Sequence, residues 1–325
     1  MRIENLTRLV DGELQNSPKI SMVSGFCIDA NLAKNGFAFI AFDGDENEVE
    51  KAIANGAYAV IFDTKLKVLE SEIAYIKVDS LNLCLLRLIR FFATSKEINF
   101  ICVKAVEFCI LKHLTIPKKV KLIGSNLQNI FLEILEAEQN SIFFCPHLQV
   151  LEKLTPSFSY LEDEKAVLIN KSSIFFTNAL LAKNYYQNII FPYIFADELS
   201  KIARFFISKN IDFKFKNIND FPHFKPLFID RFFCMKPFGS TERAFIVEND
   251  DELFIKEANF LKSKFSDVLI CVPSTQNLSF DADFIFNDIK ELKNLKDFRY
   301  ALVKAEFEEL SAMLNEKINE ESLFE

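Results

Sequence analysis

Cys27-Ile-Asp-Ala-Asn-Leu-Ala-Lys-Asn-Gly-Phe-Ala-Phe-Ile-Ala-Phe-Asp-Gly44, then a short acidic segment and Ala54-Asn-Gly-Ala-Tyr-Ala-Val-Ile-Phe-Asp63, decide the fold. Phe37–Phe42 and Tyr58–Phe62 are short apolar runs, each bounded by Gly or Asp, which is the pattern of buried strands. Between them Glu46–Asn55 places Val49 and Ile53 on one face and stops at Gly56, as a helix with a terminal glycine does. Ala74–Val78 predicts a third strand, and Leu81–Phe92 an apolar helix carrying Arg87 and Arg90 on one side. Strand, helix and strand in alternation predict a small α/β domain over residues 1–95. Glycine use agrees, because positions 12, 25, 36, 44 and 56 precede residue 57 and only 124 and 239 follow it.

The rhythm continues more loosely through a central α/β region, residues 96–195. Phe100–Val103, Val120–Ile123 and Ser141–Cys145 read as strands, and Val106–Leu114, Leu127–Ala137 and Leu148–Leu154 as helices. Residues 166–194 read as irregular β structure. A helix over 197–209 leads to Phe221-Pro-His-Phe-Lys-Pro226, which reads as a linker. Residues 196–325 predict a Rossmann-like domain. Its strands are Leu227–Asp230, Ala244–Val247, Asp267–Val272 and Asp283–Asn287; its helices are Asp251–Phe265 and a tail helix over 302–318.

A net charge of −8 without a basic block argues against nucleic acid or anionic membranes as partners. The 37 Phe with no Trp, beside abundant Ile, Lys and Asn, reflect biased codon supply rather than an aromatic surface. Seven scattered Cys and three His contain no C-x-x-C pair, so no zinc site and no disulfide framework is expected. Arg87 and Arg90 interrupt the one Leu-rich run, and the N-terminus has no apolar signal core; a cytoplasmic protein without membrane insertion is expected.

The stretch from Cys27 to Asp63 resembles the N-terminal domain of the Mur ligases, which build the peptide stem of peptidoglycan. The ligases adding the third residue and the D-Ala-D-Ala dipeptide are the most similar. In that family Asp-Ser-Arg, a Pro-Gly turn, a Phe-rich strand and a Gly-containing loop help to seat the uridine diphosphate of the muramyl substrate. Here Asp29-Ala30-Asn31 stands for the first element, Asn35-Gly36 for the turn and Gly44 for the later glycine. The resemblance thus implies substrate-binding roles for Asp29, Asn31 and Gly44. Ala30 has no hydroxyl and Asn31 no cation, and Glu46-Asn47-Glu48 follows close behind.

The family's ATP site needs a strand opening into Thr-Gly-x-Asn-Gly-Lys-Thr. Its glycines admit phosphate to backbone N–H groups, its Lys neutralises charge and its Thr reaches Mg²⁺. Gly124-Ser125-Asn126 matches the start of that motif, but Leu127, Gln128 and Asn129 replace the second Gly, the Lys and the Thr. This is a degenerate P-loop, and no counterpart of the family's Mg²⁺-holding glutamate or lysine is found. No metal site, no catalytic residue and no cofactor are therefore expected; ATP and Mg belong only to the alternative. In the last third, Lys236-Pro-Phe-Gly-Ser-Thr-Glu-Arg243 offers Lys236, Ser240, Thr241 and Arg243 as an anion-binding set, if that loop opens at the carboxyl edge of a parallel sheet. His147 and His223 read as structural or surface residues.

The expectation is a Mur-ligase-like, pseudoenzyme-type α/β protein with a binding or regulatory role in peptidoglycan precursor synthesis. Its partner would be a UDP-muramyl-type nucleotide or a cell-wall synthesis protein. The alternative is an active UDP-muramyl-peptide amide ligase with a rebuilt ATP site.

Overall fold

The computed structural model describes residues 1–42, 44–169, 173–215, 218–275 and 281–315. The chain divides into two compact units, Met1–Lys112 with Ile116–Glu162, and His113–Thr115 with Asp163–Glu325. The expected boundaries at 95 and 195 each fall inside one of these units.

The first unit opens with helix α1 (Ile3–Val10) and strands β1 (Glu13–Leu14) and β2 (Gly25–Cys27). Strand β3 (Phe37–Ile40), helix α2 (Glu46–Ala54), strands β4 (Ala57–Phe62) and β5 (Ala74–Lys77) and helix α3 (Leu81–Ser95) follow. The sheet runs β1-β5-β4-β3-β2, parallel except for β1, so the three expected strands are neighbours. Asp45 caps α2 by accepting from Asn47 N–H at 2.9 Å. Gly56, at φ +103°, closes the turn after it; a Cβ there would meet the Asn35 backbone at 2.9 Å.

A second, wholly parallel sheet comprises β6 (Asn99–Cys102), β7 (Val120–Leu122), β8 (Ile142–Cys145) and β9 (Ser159–Tyr160), in the order β7-β8-β6-β9. Its helices are α4 (Ala105–Lys112), α5 (Leu127–Glu136) and α6 (Leu148–Leu154). One hydrophobic core serves both sheets. Leu81, Cys84, Leu85, Leu88 and Ile89 of α3 join Ile130, Phe131 and Ile134 of α5 and Leu151 of α6 in it. Each such buried Leu, Ile or Phe contributes about 1.5–3 kcal/mol.

The second unit has an antiparallel sheet of β10 (Val167–Leu168), β11 (Thr177–Leu181) and β12 (Asn184–Ile189), followed by helix α7 (Ala196–Ser208). Next come β13 (Lys225–Ile229), β14 (Arg243–Glu248), α8 (Asp251–Lys264), β15 (Val268–Pro273), β16 (Phe284–Phe286), β17 (Tyr300–Lys304) and α9 (Phe307–Asn315). The sheet order is β13-β14-β17-β15-β16. All neighbours are parallel except β13, which is antiparallel to β14.

Two expectations need correction here. The segment 221–226 is not a linker: Phe221 and Phe224 are buried, and Lys225-Pro226 begins β13, an edge strand that tolerates proline. The tail helix does not start at 302, because Tyr300–Lys304 is the central strand of the sheet and α9 begins at Phe307. Residues 316–318 of that expected helix lie outside the described residues.

Candidate functional site

Strand β2 is the edge of the first sheet, and beside it lies a cavity of about 780 Å³ within the first unit. One wall is Val23–Asp29 with Leu32, Lys34 and Phe37; the other is the end of α3 (Phe92, Lys96) and the flank of α5 (Leu132, Leu135, Glu136). The lining is mainly apolar with a few polar groups, the composition of a small-molecule site. Phe92 and Phe131 pack edge-on against Phe26, with ring centroids 5.4 Å and 6.1 Å away, and so fix the strand against both helices.

Asp29 lines this cavity. Its Oδ1 accepts from Asn31 N–H at 2.8 Å and from Asn31 Nδ2 at 2.9 Å, so the two expected residues are locked together at the rim. Gly44 is not part of the lining. It adopts φ +61°, and its Cα sits so close to Thr64 that a Cβ would meet the Thr64 hydroxyl at 2.6 Å. The glycine serves a turn there.

Two lysines reach the cavity, with opposite duties. Lys96 donates to the carbonyls of Ile134 (2.9 Å), Leu135 (2.7 Å) and Ala137 (2.8 Å), so all three of its donors serve the end of α5, where only Ile134 O has a backbone donor as well, Ala137 N–H. Burial lowers its pKa, and it acts as a positioning group for the wall. Lys34 is exposed, and its ammonium has no hydrogen bond or ion pair among the described residues. Sequence reasoning missed both lysines. Lys34 stood inside the quoted stretch, three residues beyond Asn31.

The degenerate P-loop segment is a strand, loop and helix: β7, then Ile123–Asn126, then α5. Asn126 caps α5 by accepting from Asn129 N–H at 3.0 Å. Gly124 has open space where a Cβ would stand. The adjoining groove, about 410 Å³, is lined by Gly124, Asn129, Glu133 and Glu136 along with Leu122, Ile123, Ile130 and Leu132. It carries carboxylates where a phosphate site needs cations, and Lys121 is engaged with Glu133 at 2.7 Å. Ser125 and Gln128 do not line it.

The loop 236–243 lies at the opposite edge from the one expected. Because β13 runs antiparallel to β14, the chain leaves β13 at the amino end of the parallel strands and enters β14 there. Lys236 and Arg243 do line one shallow concavity, together with Thr241 and the carboxylates Asp230, Glu242 and Asp297. Lys236 pairs with Asp230 at 2.9 Å, and this bond raises the lysine and lowers the aspartate in pKa. Arg243 donates to Phe298 O at 3.1 Å and stacks 4.2 Å from the Phe298 ring. The hydroxyls of Ser240 and Thr241 are bonded to Pro237 O and Arg243 O.

At the carboxyl edge stands a buried polar cluster that sequence reasoning did not find. Glu248 ends β14 and is in register with Lys304, which ends β17; both are nearly inaccessible. Lys304 reaches Asp251 at 2.9 Å and Asn249 O. Glu248 accepts from Asp250 N–H at 2.8 Å and meets His223 Nδ1 at 3.0 Å. Burial works to raise its pKa, but the bonds from His223, Asp250 N–H and Glu257 together hold it below the usual value. Glu257 of α8 is fully buried, and no donor reaches either of its oxygens. Burial first, then the charge of Glu248, push its pKa well above the ordinary 4.5. The protonated form of Glu257 is thereby favoured, and it is the form that can donate to Glu248. His147 is exposed at the start of α6. Among the described residues no group of three or more His, Cys, Asp or Glu is arranged to hold a metal ion. No helix among them is long and apolar enough to cross a membrane.

No family model matches the chain, and no curated protein matches it. Among solved structures it is similar to MurF from Acinetobacter baumannii, at 10% identity and a TM-score of 0.48, covering 96% of this chain and 97% of that one. It is also similar to MurF ligase from Thermotoga maritima in complex with ADP, at 12% identity and a TM-score of 0.47, covering 90% and 97%. A third is a UDP-N-acetylmuramoyl-L-alanyl-D-glutamate–2,6-diaminopimelate ligase, at 11% identity and a TM-score of 0.41, covering 92% of each chain.

Proposed function

We propose that the protein is a Mur-ligase-like binding or regulatory protein of peptidoglycan precursor synthesis, holding a UDP-muramyl-type nucleotide beside β2 and lacking ATP-dependent ligase chemistry. The observation that carries this reading is a coincidence of place. The stretch that resembles the nucleotide-seating element of the Mur ligases, Cys27 to Phe37, forms one wall of the 780 Å³ cavity. Apolar side chains would take the base and sugar faces, and Lys34 supplies a free cation for the diphosphate. Supporting the loss of ligase chemistry are Leu127, Gln128 and Asn129 where Gly, Lys and Thr would act. Phosphoryl transfer relies on that electrostatic clamp, and removing even one oxyanion-type donor commonly costs about 10²–10³ in rate.

Calorimetric titration with UDP and with UDP-N-acetylmuramoyl peptide tests the reading. Binding is expected, weakened about tenfold by Lys34→Ala, as for one lost charged contact. Absence of binding to either compound refutes it. The strand, loop and helix over 120–136, with open space at Gly124, favour the second reading, an active ligase with a rebuilt ATP site. Release of phosphate from ATP that depends on a UDP-muramyl peptide would establish that reading instead.

A further inference from the structure

At the amino edge of strands β14 and β17, four cations line one concavity of about 710 Å³. Arg231, Arg243, Lys293 and Lys296 come from three separate stretches of chain, so no basic block marks them in the sequence. Arg231 stands in the turn after β13, which Asp230 ties by accepting from Phe232 N–H at 2.9 Å and Cys234 N–H at 3.0 Å. Arg243 opens β14. Lys293 and Lys296 follow Leu292 and Leu295, whose burial in the core with Phe298 pins the segment leading into β17. Of the residues expected to bind an anion in the loop 236–243, Arg243 alone lines this concavity.

Among the described residues none of the four cations is in an ion pair. In the same unit Lys236, Lys256, Lys262 and Lys304 each meet a carboxylate, at 2.9, 2.7, 3.1 and 2.9 Å. Asp297 is the one carboxylate in the lining, and it is exposed, so the concavity keeps a net positive charge in a chain of net charge −8. Like charges gathered without counter-charges repel one another, and a bound anion removes that cost. Arg243 is held ready for one. Its Nε donates to Phe298 O at 3.1 Å, and its guanidinium lies 4.2 Å from the Phe298 ring and 5.7 Å from the Phe233 ring. Its two Nη nitrogens have no acceptor among the described residues, and such a fork matches two oxygens of one phosphoryl group. Phe233, also in the lining, gives an organic group an apolar wall.

We infer that this concavity binds a small organic di- or triphosphate, with Arg243 gripping one phosphoryl group and Arg231, Lys293 and Lys296 neutralising the rest. The volume is that of a small-molecule site, and the negative charge of the chain as a whole disfavours nucleic acid or an anionic membrane there. The site is independent of the nucleotide reading, whose cavity belongs to the first unit.

Calorimetric titration of the full chain with tripolyphosphate, pyrophosphate and citrate, without divalent metal, tests this. Both phosphates are expected to bind, and citrate at least about tenfold more weakly than tripolyphosphate. Arg243→Gln should weaken tripolyphosphate at least about tenfold, and Arg243→Lys should not restore it, because an ammonium lacks the fork. Arg231→Gln changes an exposed side chain that packs only on the Phe232 ring, so the fold is kept, and it should weaken binding about threefold or more. Amides of 231–235 and 293–298 should exchange more slowly in the complex while those of 23–37 do not change. No binding of tripolyphosphate, citrate held as tightly, protection confined to 23–37, or full affinity in both Arg243→Gln and Arg231→Gln overturns the proposal.

Discussion

Replacing Glu257 by Gln should stabilise the second unit at neutral pH and do so progressively less as the pH falls. Glu257 is fully buried, with neither oxygen receiving a hydrogen bond, and its neighbour is the carboxyl of Glu248. Its folded pKa is raised, so the folded state retains a proton that the unfolded chain releases above its ordinary value of 4.5. The contribution to stability is therefore fully present below pH 4.5 and is lost as the pH rises toward the folded pKa, at about 1.4 kcal/mol per pH unit. The loss begins above pH 4.5 and grows as the pH rises, until it levels off at the folded pKa. Glutamine keeps a donor for Glu248 and has no proton to lose, but adds a second N–H without an acceptor, at a constant cost of about 1 kcal/mol.

The variant should thus become more stable relative to the parent as the pH rises from 4.5 to 8. Urea unfolding across pH 4.5–8 measures this. Pulsed labelling of Cys271, a buried thiol in the same sheet, reports the unit directly. Glu248 and His223 are common to both proteins, so the difference isolates Glu257. A difference between variant and parent that does not change with pH would refute the reasoning.

Lys96→Met should destabilise the first unit by about 2 kcal/mol, because the carbonyls of Leu135 and Ala137 lose their donor and that of Ile134 one of two; thermal unfolding checks this. Gly56→Ala should cost more than 1 kcal/mol by the same assay, since φ is +103° and the Asn35 backbone stands 2.9 Å from the new Cβ. Millimolar ATP with Mg²⁺ should leave the melting temperature where Mg²⁺ alone leaves it. A ligand at a hundredfold excess over its Kd would add about 2.7 kcal/mol, a shift of several degrees.

The first sheet was legible because its glycines are obligatory. Gly36, Gly44 and Gly56 all have positive φ, a backbone only glycine enters freely, and they punctuate short apolar strands whose length leaves no room for helix. Tyr300–Lys304 was not legible for the converse reason. Its Ala, Leu, Val and Lys suit a helix equally well, and a short apolar run next to a true helix has no period of its own. The direction of β13 is invisible in sequence, yet it alone moves the loop 236–243 from the ligand edge to the opposite one. Glu257 did carry a signal. It falls three residues after Phe254 and four before Leu261, on the buried stripe of α8, where an unpaired carboxyl is out of place.

The proposed loss of ATP chemistry has a physical counterpart in how the second sheet joins its helices. A phosphate cradle needs a glycine-bearing turn between a parallel strand and the helix after it, and N–H groups left free at that helix start. Strand β6 reaches α4 through Val103 and Lys104 alone, and β8 reaches α6 through Pro146 and His147, with no glycine in either link. At the first of these, Glu107 accepts from Lys104 N–H at 2.8 Å, so the chain's own carboxylate occupies the place an anion would take. Only the β7 link has a glycine. There Asn126 covers Asn129 N–H, and the groove beside the loop presents Glu133 and Glu136. Restoring a lysine at 128 would supply one cation against those two carboxylates, leaving the capped N–H group and the missing second glycine as they are. Recovering the site would therefore take a change of backbone as well as of charge.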